Sequence, residues 1–245
     1  MLNILLLDPN AFFQQPVPVT EIVTAIGGLG VAAYGVLDAI KSFLPHINRI
    51  GIVSIHRAVE ALLPEENDSQ PGNALGRARI LNTVEANWIN GVDLNNQKAV
   101  AKSLIKLHLS KDNARAVARE CNVDEEAMVA IANAISGGDS LDAAQTDAHA
   151  RFELILTAIL DEAYQRSDQE YRNKTRGVAA AIALVLALAA GWSLNGTSAY
   201  WHSPDAALAA IAGLLATPLA PIAKDLSTAL ATAVNTMQQL KRKGL

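Results

Sequence analysis

Between Gly177 and Leu194 the chain carries no charged side chain and is made mostly of Ala, Leu, Val and Ile. A run of this length and composition approaches the roughly 20 residues that cross the hydrocarbon core of a bilayer. Arg172, Lys174 and Arg176 precede it, and Trp192 lies near its end. A basic flank on one side and an interfacial aromatic on the other mark a membrane span rather than a buried core helix.

Two further runs read the same way. Ile22 to Leu37 is mostly apolar and bounded by Glu21 and Asp38; its shortness leaves a full crossing and a re-entrant helix both open. Ala206 to Ala223 is opened by Ser203-Pro204-Asp205, where Ser203 can cap and Pro204 suits the first helical position. Pro218 and Pro221 interrupt its second half, each removing a backbone donor, which predicts a kink or an unwound end before Lys224. Residues 1 to 19 contain no Lys or Arg, so they lack the basic start of a signal peptide and are read as part of the mature protein.

The loop between the last two spans contains Tyr200 and Trp201 and no Lys or Arg, whereas Lys241, Arg242 and Lys243 lie near the end of the sequence. The positive-inside rule therefore places that loop outside and the C-terminus in the cytosol of a bacterial cell, with the N-terminus outside the inner membrane. Arg172, Lys174, Arg176, Trp192, Tyr200 and Trp201 are the expected interface anchors, with membrane lipids as their partners.

Apolar residues make up 51% of the chain and aromatics only 4%, a balance that favours closely packed helices over sheets. The expected fold is all-α: three transmembrane helices, a helical cytosolic domain, and a long helix continuing into the second span. The divisions are an extracytoplasmic segment 1–21, a first span 22–41, a cytosolic domain 42–139, a juxtamembrane helix 140–176, a second span 177–196, a loop 197–203, a third span 204–223, and a cytosolic amphipathic helix 224–245. Inside the cytosolic domain, helices are predicted over Ile47–Leu63, about Ala74–Asn90 and about Asn95–Leu109, with Glu65–Asn73 as a linker. Ser110 and Asp124 are expected to cap two more, closed by Gly137-Gly138.

From Ser140 to Arg176 there is neither Pro nor Gly, and Phe152, Ile155, Leu156, Ile159, Leu160 and Ala163 lie on one apolar stripe. With the second span this predicts one helix of about 55 residues, roughly 80 Å long, a stiff link between cytosolic domain and membrane. Glu162 with Arg166, Asp168 with Arg172, and Glu170 with Lys174 form i,i+4 pairs in the favoured order. Asp161, Arg166, Tyr171-Arg172 and Thr175, running into the Ala/Leu-rich span, resemble the juxtamembrane pattern of a family of uncharacterised bacterial membrane proteins. Gln169-Glu170 stand where members of that family often carry an aromatic and a glycine. The resemblance implies an N-terminal span, a helical cytosolic region and a C-terminal pair of spans, and no activity or functional residue.

Ala179, Ala183, Ala187 and Gly191 recur every four residues along the second span, Gly28 and Ala32 offer a similar face on the first, and Ala209 and Gly213 on the third. Such small-residue faces let helix backbones approach closely. They leave open whether the partner is a span of the same chain or of a second copy; a homo-oligomer is the expected assembly, with a cytosolic protein partner as a further expectation.

No Asp, Glu, Lys, Arg or His lies inside the three runs, which argues against an ion-coupled carrier. The five histidines, His46, His56, His108, His149 and His202, are scattered, and neither phosphate-loop, dinucleotide nor nucleophile-elbow motifs occur. No catalytic, cofactor-binding or metal-binding residue is assigned. Ala116 to Ile131 resembles a helix-turn-helix, but Glu125 and Glu126 stand where DNA contact needs basic or amide side chains, so nucleic acid is not an expected partner. Cys121 reads as a structural thiol. The leading functional expectation is a non-enzymatic membrane scaffold or adaptor; the alternatives are a multi-chain pore or membrane-disrupting effector gated by the cytosolic domain, and an accessory subunit of a larger membrane complex.

Overall fold

Helix follows helix wherever the apolar spacing runs at three and four residues, and the breaks fall at glycines and capped turns. The computed structural model describes residues 19–64 and 76–243, and among these no strand occurs. The helices are α1 (Val19–Phe43), α2 (Ile52–Ala61), α3 (Arg77–Ile89), α4 (Leu94–Leu107), α5 (Ala114–Glu120), α6 (Glu125–Gly137), α7 (Ala143–Asn195) and α8 (Pro204–Lys243), with 3-10 turns at Pro45–Ile47 and Ser198–His202. Of these, α1, α7 and α8 are long and apolar enough to cross a membrane. The predicted linker over Glu65–Asn73 and the first 18 residues lie outside the described residues.

The chain divides into two units, one built from the segments up to Ser42 and from Thr175 onward, the other from Phe43–Lys174. The long helix α7 is continuous over 53 residues and contributes to both.

In the Phe43–Lys174 unit, Ile55, Val59, Ile80, Val84, Ile105, Met128, Ile131, Phe152, Leu156 and Leu160 form one core. The single helix expected over Ile47–Leu63 is instead a 3-10 turn and α2, because Gly51 adopts a left-handed conformation (φ 90°) between them. A Cβ at Gly51 would sit 2.5 Å from the Ser167 carbonyl oxygen, so glycine alone fits both the backbone and the approach to α7. The Trp88 indole donates to the Ile50 carbonyl at 3.1 Å and fastens α3 to the same turn. Arg77, the first residue of α3, reaches back to donate to the Pro64 carbonyl at 3.1 Å and pair with Glu60 at 3.2 Å. It thereby holds the start of α3 against the end of α2.

Asp93 caps α4 by accepting from the backbone N–H groups of Asn95 (2.9 Å) and Asn96 (3.2 Å). The next turn is organised by Asn113 rather than by a Ser110 cap. Buried Asn113 donates to the His108 carbonyl at 2.8 Å and accepts from both the Ser110 N–H (2.7 Å) and hydroxyl (3.2 Å). Asp124 caps α6 as expected, accepting from Ala127 N–H at 2.7 Å. Gly138, with φ 76°, closes it. Glu125 and Glu126 of this helix-turn-helix-like pair are engaged by α5, through Arg119 at 3.1 Å and Arg115 at 2.9 Å.

The second unit's charged seam lies between α4 and α7. Lys98, Lys102 and Lys106 follow one another at every fourth residue of α4 and meet Asp161, Thr157 and Glu153 in descending order on α7, as antiparallel helices require. The three i,i+4 pairs read from the sequence are all formed, Arg166–Glu162 at 2.5 Å, Arg172–Asp168 at 2.7 Å and Lys174–Glu170 at 2.6 Å.

The unwound end predicted in the last span is not formed. The helix α8 runs through both Pro218 and Pro221, so the span and the C-terminal segment are one element. Each proline removes a donor, but its fixed φ is itself helical. On the same helix, Ala216, Ala220 and Ala223 are buried against α1, so packing supports the helix across the missing donors.

Candidate functional site: the small-residue seam of the apolar helices

The unit containing the apolar helices is built around side chains small enough to bring backbones together. Ala33 of α1, Ala183 of α7 and Ala216 of α8 are each fully buried and share one core cluster. On α1 the packed residues are Gly27, Gly30, Ala33 and Leu37. A Cβ on Gly27 would lie 2.9 Å from the Leu219 carbonyl oxygen, and one on Gly30 would lie 2.9 Å from the Ala220 Cβ while colliding with the Ala216 carbonyl oxygen. Between α7 and α8 the corresponding contact is Gly213, whose added Cβ would stand 2.6 Å from the Leu184 Cα. Where apolar side chains face lipid as readily as each other, this close van der Waals approach is what favours helix association.

The residues singled out in the sequence distribute over this seam unevenly. Ala179, Ala183 and Ala187 are buried, Gly213 is buried, and Ala209 is half-buried. Gly191 lies under the Tyr200 ring of the connecting turn, not under another long helix, and has no room for a Cβ. Gly28 and Ala32 are exposed, and nothing lies within 4 Å of a Cβ built on Gly28. The seam of α1 is thus the neighbouring register, one residue or about 100° around the helix.

The aromatic residues at the helix ends differ in the same way. Trp192 and Trp201 are half exposed, while Tyr200 is 2% exposed and packs edge-on against Trp201 with ring centres 5.3 Å apart. Arg176 is exposed, as are Arg172 and Lys174, which belong to the other unit. The side chains of Lys241, Arg242 and Lys243 lie outside the described residues.

The titratable groups with perturbed affinity lie in the Phe43–Lys174 unit. Burial, seconded by Glu120, pushes the Cys121 thiol up to about 11, so at neutral pH it is protonated and a poor nucleophile. Hydrogen bonding from Lys106 holds the Glu153 carboxyl below its usual range against the opposing effect of burial. Among the described residues no group of three or more His, Cys, Asp or Glu is placed to hold a metal ion.

Fold and seam together define an all-α membrane protein with three apolar helices and a helical unit threaded by the longest of them. Comparison with protein-family models, with curated proteins and with solved structures found no match to this chain.

Proposed function

We propose that this chain is a non-enzymatic membrane scaffold or adaptor of the bacterial inner membrane, which self-assembles in the bilayer and presents its helical unit to a cytosolic partner. The observation that carries this reading is the double use of α7. Its first half supplies Phe152, Leu156, Leu160 and Tyr164 to one core, and its second half supplies Ala183 to the other, with Ala179 and Ala187 also buried. A helix shared in this way makes the membrane part an anchor for the helical part.

The orientation follows from charge. Arg172, Lys174 and Arg176 precede the span, and the turn after it, through Asp205, contains no Lys or Arg, so the Phe43–Lys174 unit faces the cytosol. Self-assembly is assigned to the outer face of α1. Gly28, Ala32 and Gly35 recur there at helical spacing, all exposed, and a Cβ on either glycine meets open space.

The test is the mass of the detergent-extracted protein by light scattering, for the native chain and for Gly28→Leu/Ala32→Leu. An oligomer that falls to a smaller, still helical particle in the double variant supports the reading. A native chain that is monomeric, or an oligomer unchanged by the two substitutions, overturns it.

A further inference from the structure

Trp88, Tyr171, Gln97, Asp168 and Asn48 meet around an open cleft of about 180 Å³ inside the Phe43–Lys174 unit, where the α3–α4 turn lies against α7. The Trp88 and Tyr171 rings stand edge to face, centres 6.2 Å apart at 86°. The indole N–H is committed to the Ile50 carbonyl, so Trp88 has only π surface to offer a ligand. Gln97 is 2% exposed, and its amide N–H donates to the Val92 carbonyl at 2.5 Å. That carbonyl can only accept, which fixes the amide's orientation and leaves Oε1 buried with no protein donor. Such a carbonyl gains from any donor, and a ligand in the cleft meets it when the Gln97 side chain turns outward.

The electrostatic sense of the cleft favours cations. A carboxylate (Asp168), an unmet amide oxygen (Gln97) and two aromatic rings attract positive charge, and among the described residues no Lys, Arg or His lines it. Asp168 is paired at 2.7 Å with Arg172, but that guanidinium is 61% exposed, and an exposed i,i+4 pair is weak enough to be displaced. The volume is below the roughly 300 Å³ at which drug-sized pockets begin, so the cleft suits one small group.

We propose that this cleft is a binding site for a small organic cation with N–H donors, an alkyl- or arylammonium. Its apolar part packs on Trp88 and Tyr171, and its ammonium is held at the Asp168 and Gln97 end. The site is independent of the scaffold reading and of the seam in the apolar helices.

The experiment is a titration of Trp88 fluorescence in the full-length protein in detergent. Trp192→Phe and Trp201→Phe remove the other two indoles, which lie outside the cleft. Benzylammonium is the probe and benzyl alcohol its neutral counterpart. Benzylammonium is expected to saturate the signal and benzyl alcohol to bind about tenfold more weakly or not at all. Asp168→Asn, a partly exposed substitution that spares the core, and Gln97→Met are each expected to weaken benzylammonium several-fold, while Arg172→Ala, which removes the internal competitor, tightens it. The absence of a saturable response, equal binding of the alcohol, or an Asp168→Asn variant that binds as the native chain does would each overturn the proposal.

Discussion

Lys98 Nζ lies 2.6 Å from Asp161 Oδ1, and this contact is one end of a ladder that runs down the α4–α7 boundary to Lys106 and Glu153. The partners are 63 residues apart in sequence for the first rung and 47 for the last. The ladder therefore sets which stretch of α7 lies beside α4, whereas the apolar core beneath it supplies most of the burial energy.

Shortening Lys102 and Lys106 to Ala together should lower the stability of the helical unit by about 1 kcal/mol or less, because the pairs are partly exposed. High salt should shrink the difference. The Glu153 carboxyl is held down from 4.5, led by the Lys106 hydrogen bond; Lys102 and, at 3.9 Å, His149 also face it. A depressed carboxyl adds stability that is present above its unfolded value and lost as pH falls through the folded one. Denaturation of the native chain should thus become easier below about pH 4.5, and Lys106→Met should flatten that dependence. A pH series of urea melts measures both effects, and identical slopes would refute the assignment.

At the α1–α8 contact, Gly30→Ala should destabilise the folded chain by about 1–3 kcal/mol, since the new methyl meets backbone that cannot swing aside. Gly28→Ala, two residues away on the open face, should be neutral or stabilising by up to about 1 kcal/mol through helix propensity. Thermal melting in detergent separates the two substitutions, and equal melting points would contradict the described register.

The Gly191 and Tyr200 pair predicts a non-additive result. Gly191→Ala alone forces the buried ring outward, while in a Tyr200→Ala background the ring atoms nearest the new methyl are gone. The glycine substitution should therefore cost about 1–3 kcal/mol in the native chain and close to nothing in the second. A double-mutant cycle reads the coupling directly, and additive effects would exclude the contact.

Most of the helical architecture was legible because its cues are local. The charge-free run at Gly177–Leu194, the Asp124 cap and Gly138 need no knowledge of distant residues. The face of α1 was harder to read. Gly27-Gly28-Leu29-Gly30 supports two small-residue registers, and the choice of Gly27, Gly30 and Ala33 depends on where the Ala216–Ala223 stretch of α8 lies. The same holds at Pro218 and Pro221, where a local breaker is overridden by packing. Arg77, Gln97 and Asn113 were missed because each acts on backbone carbonyls, which leave no trace in a pattern of side-chain types.

The Arg77 clamp has a consequence for how this sequence can change. It fastens Pro64 and Glu60 to the first turn of α3 through groups that do not depend on the residues in between. For a chain whose two ends are already held, the cost of extra length grows only logarithmically, by about 0.6 kcal/mol for each doubling. Insertions and deletions between Pro64 and Gly76 therefore leave the groups of this clamp in place. Related chains can be expected to differ in length there first.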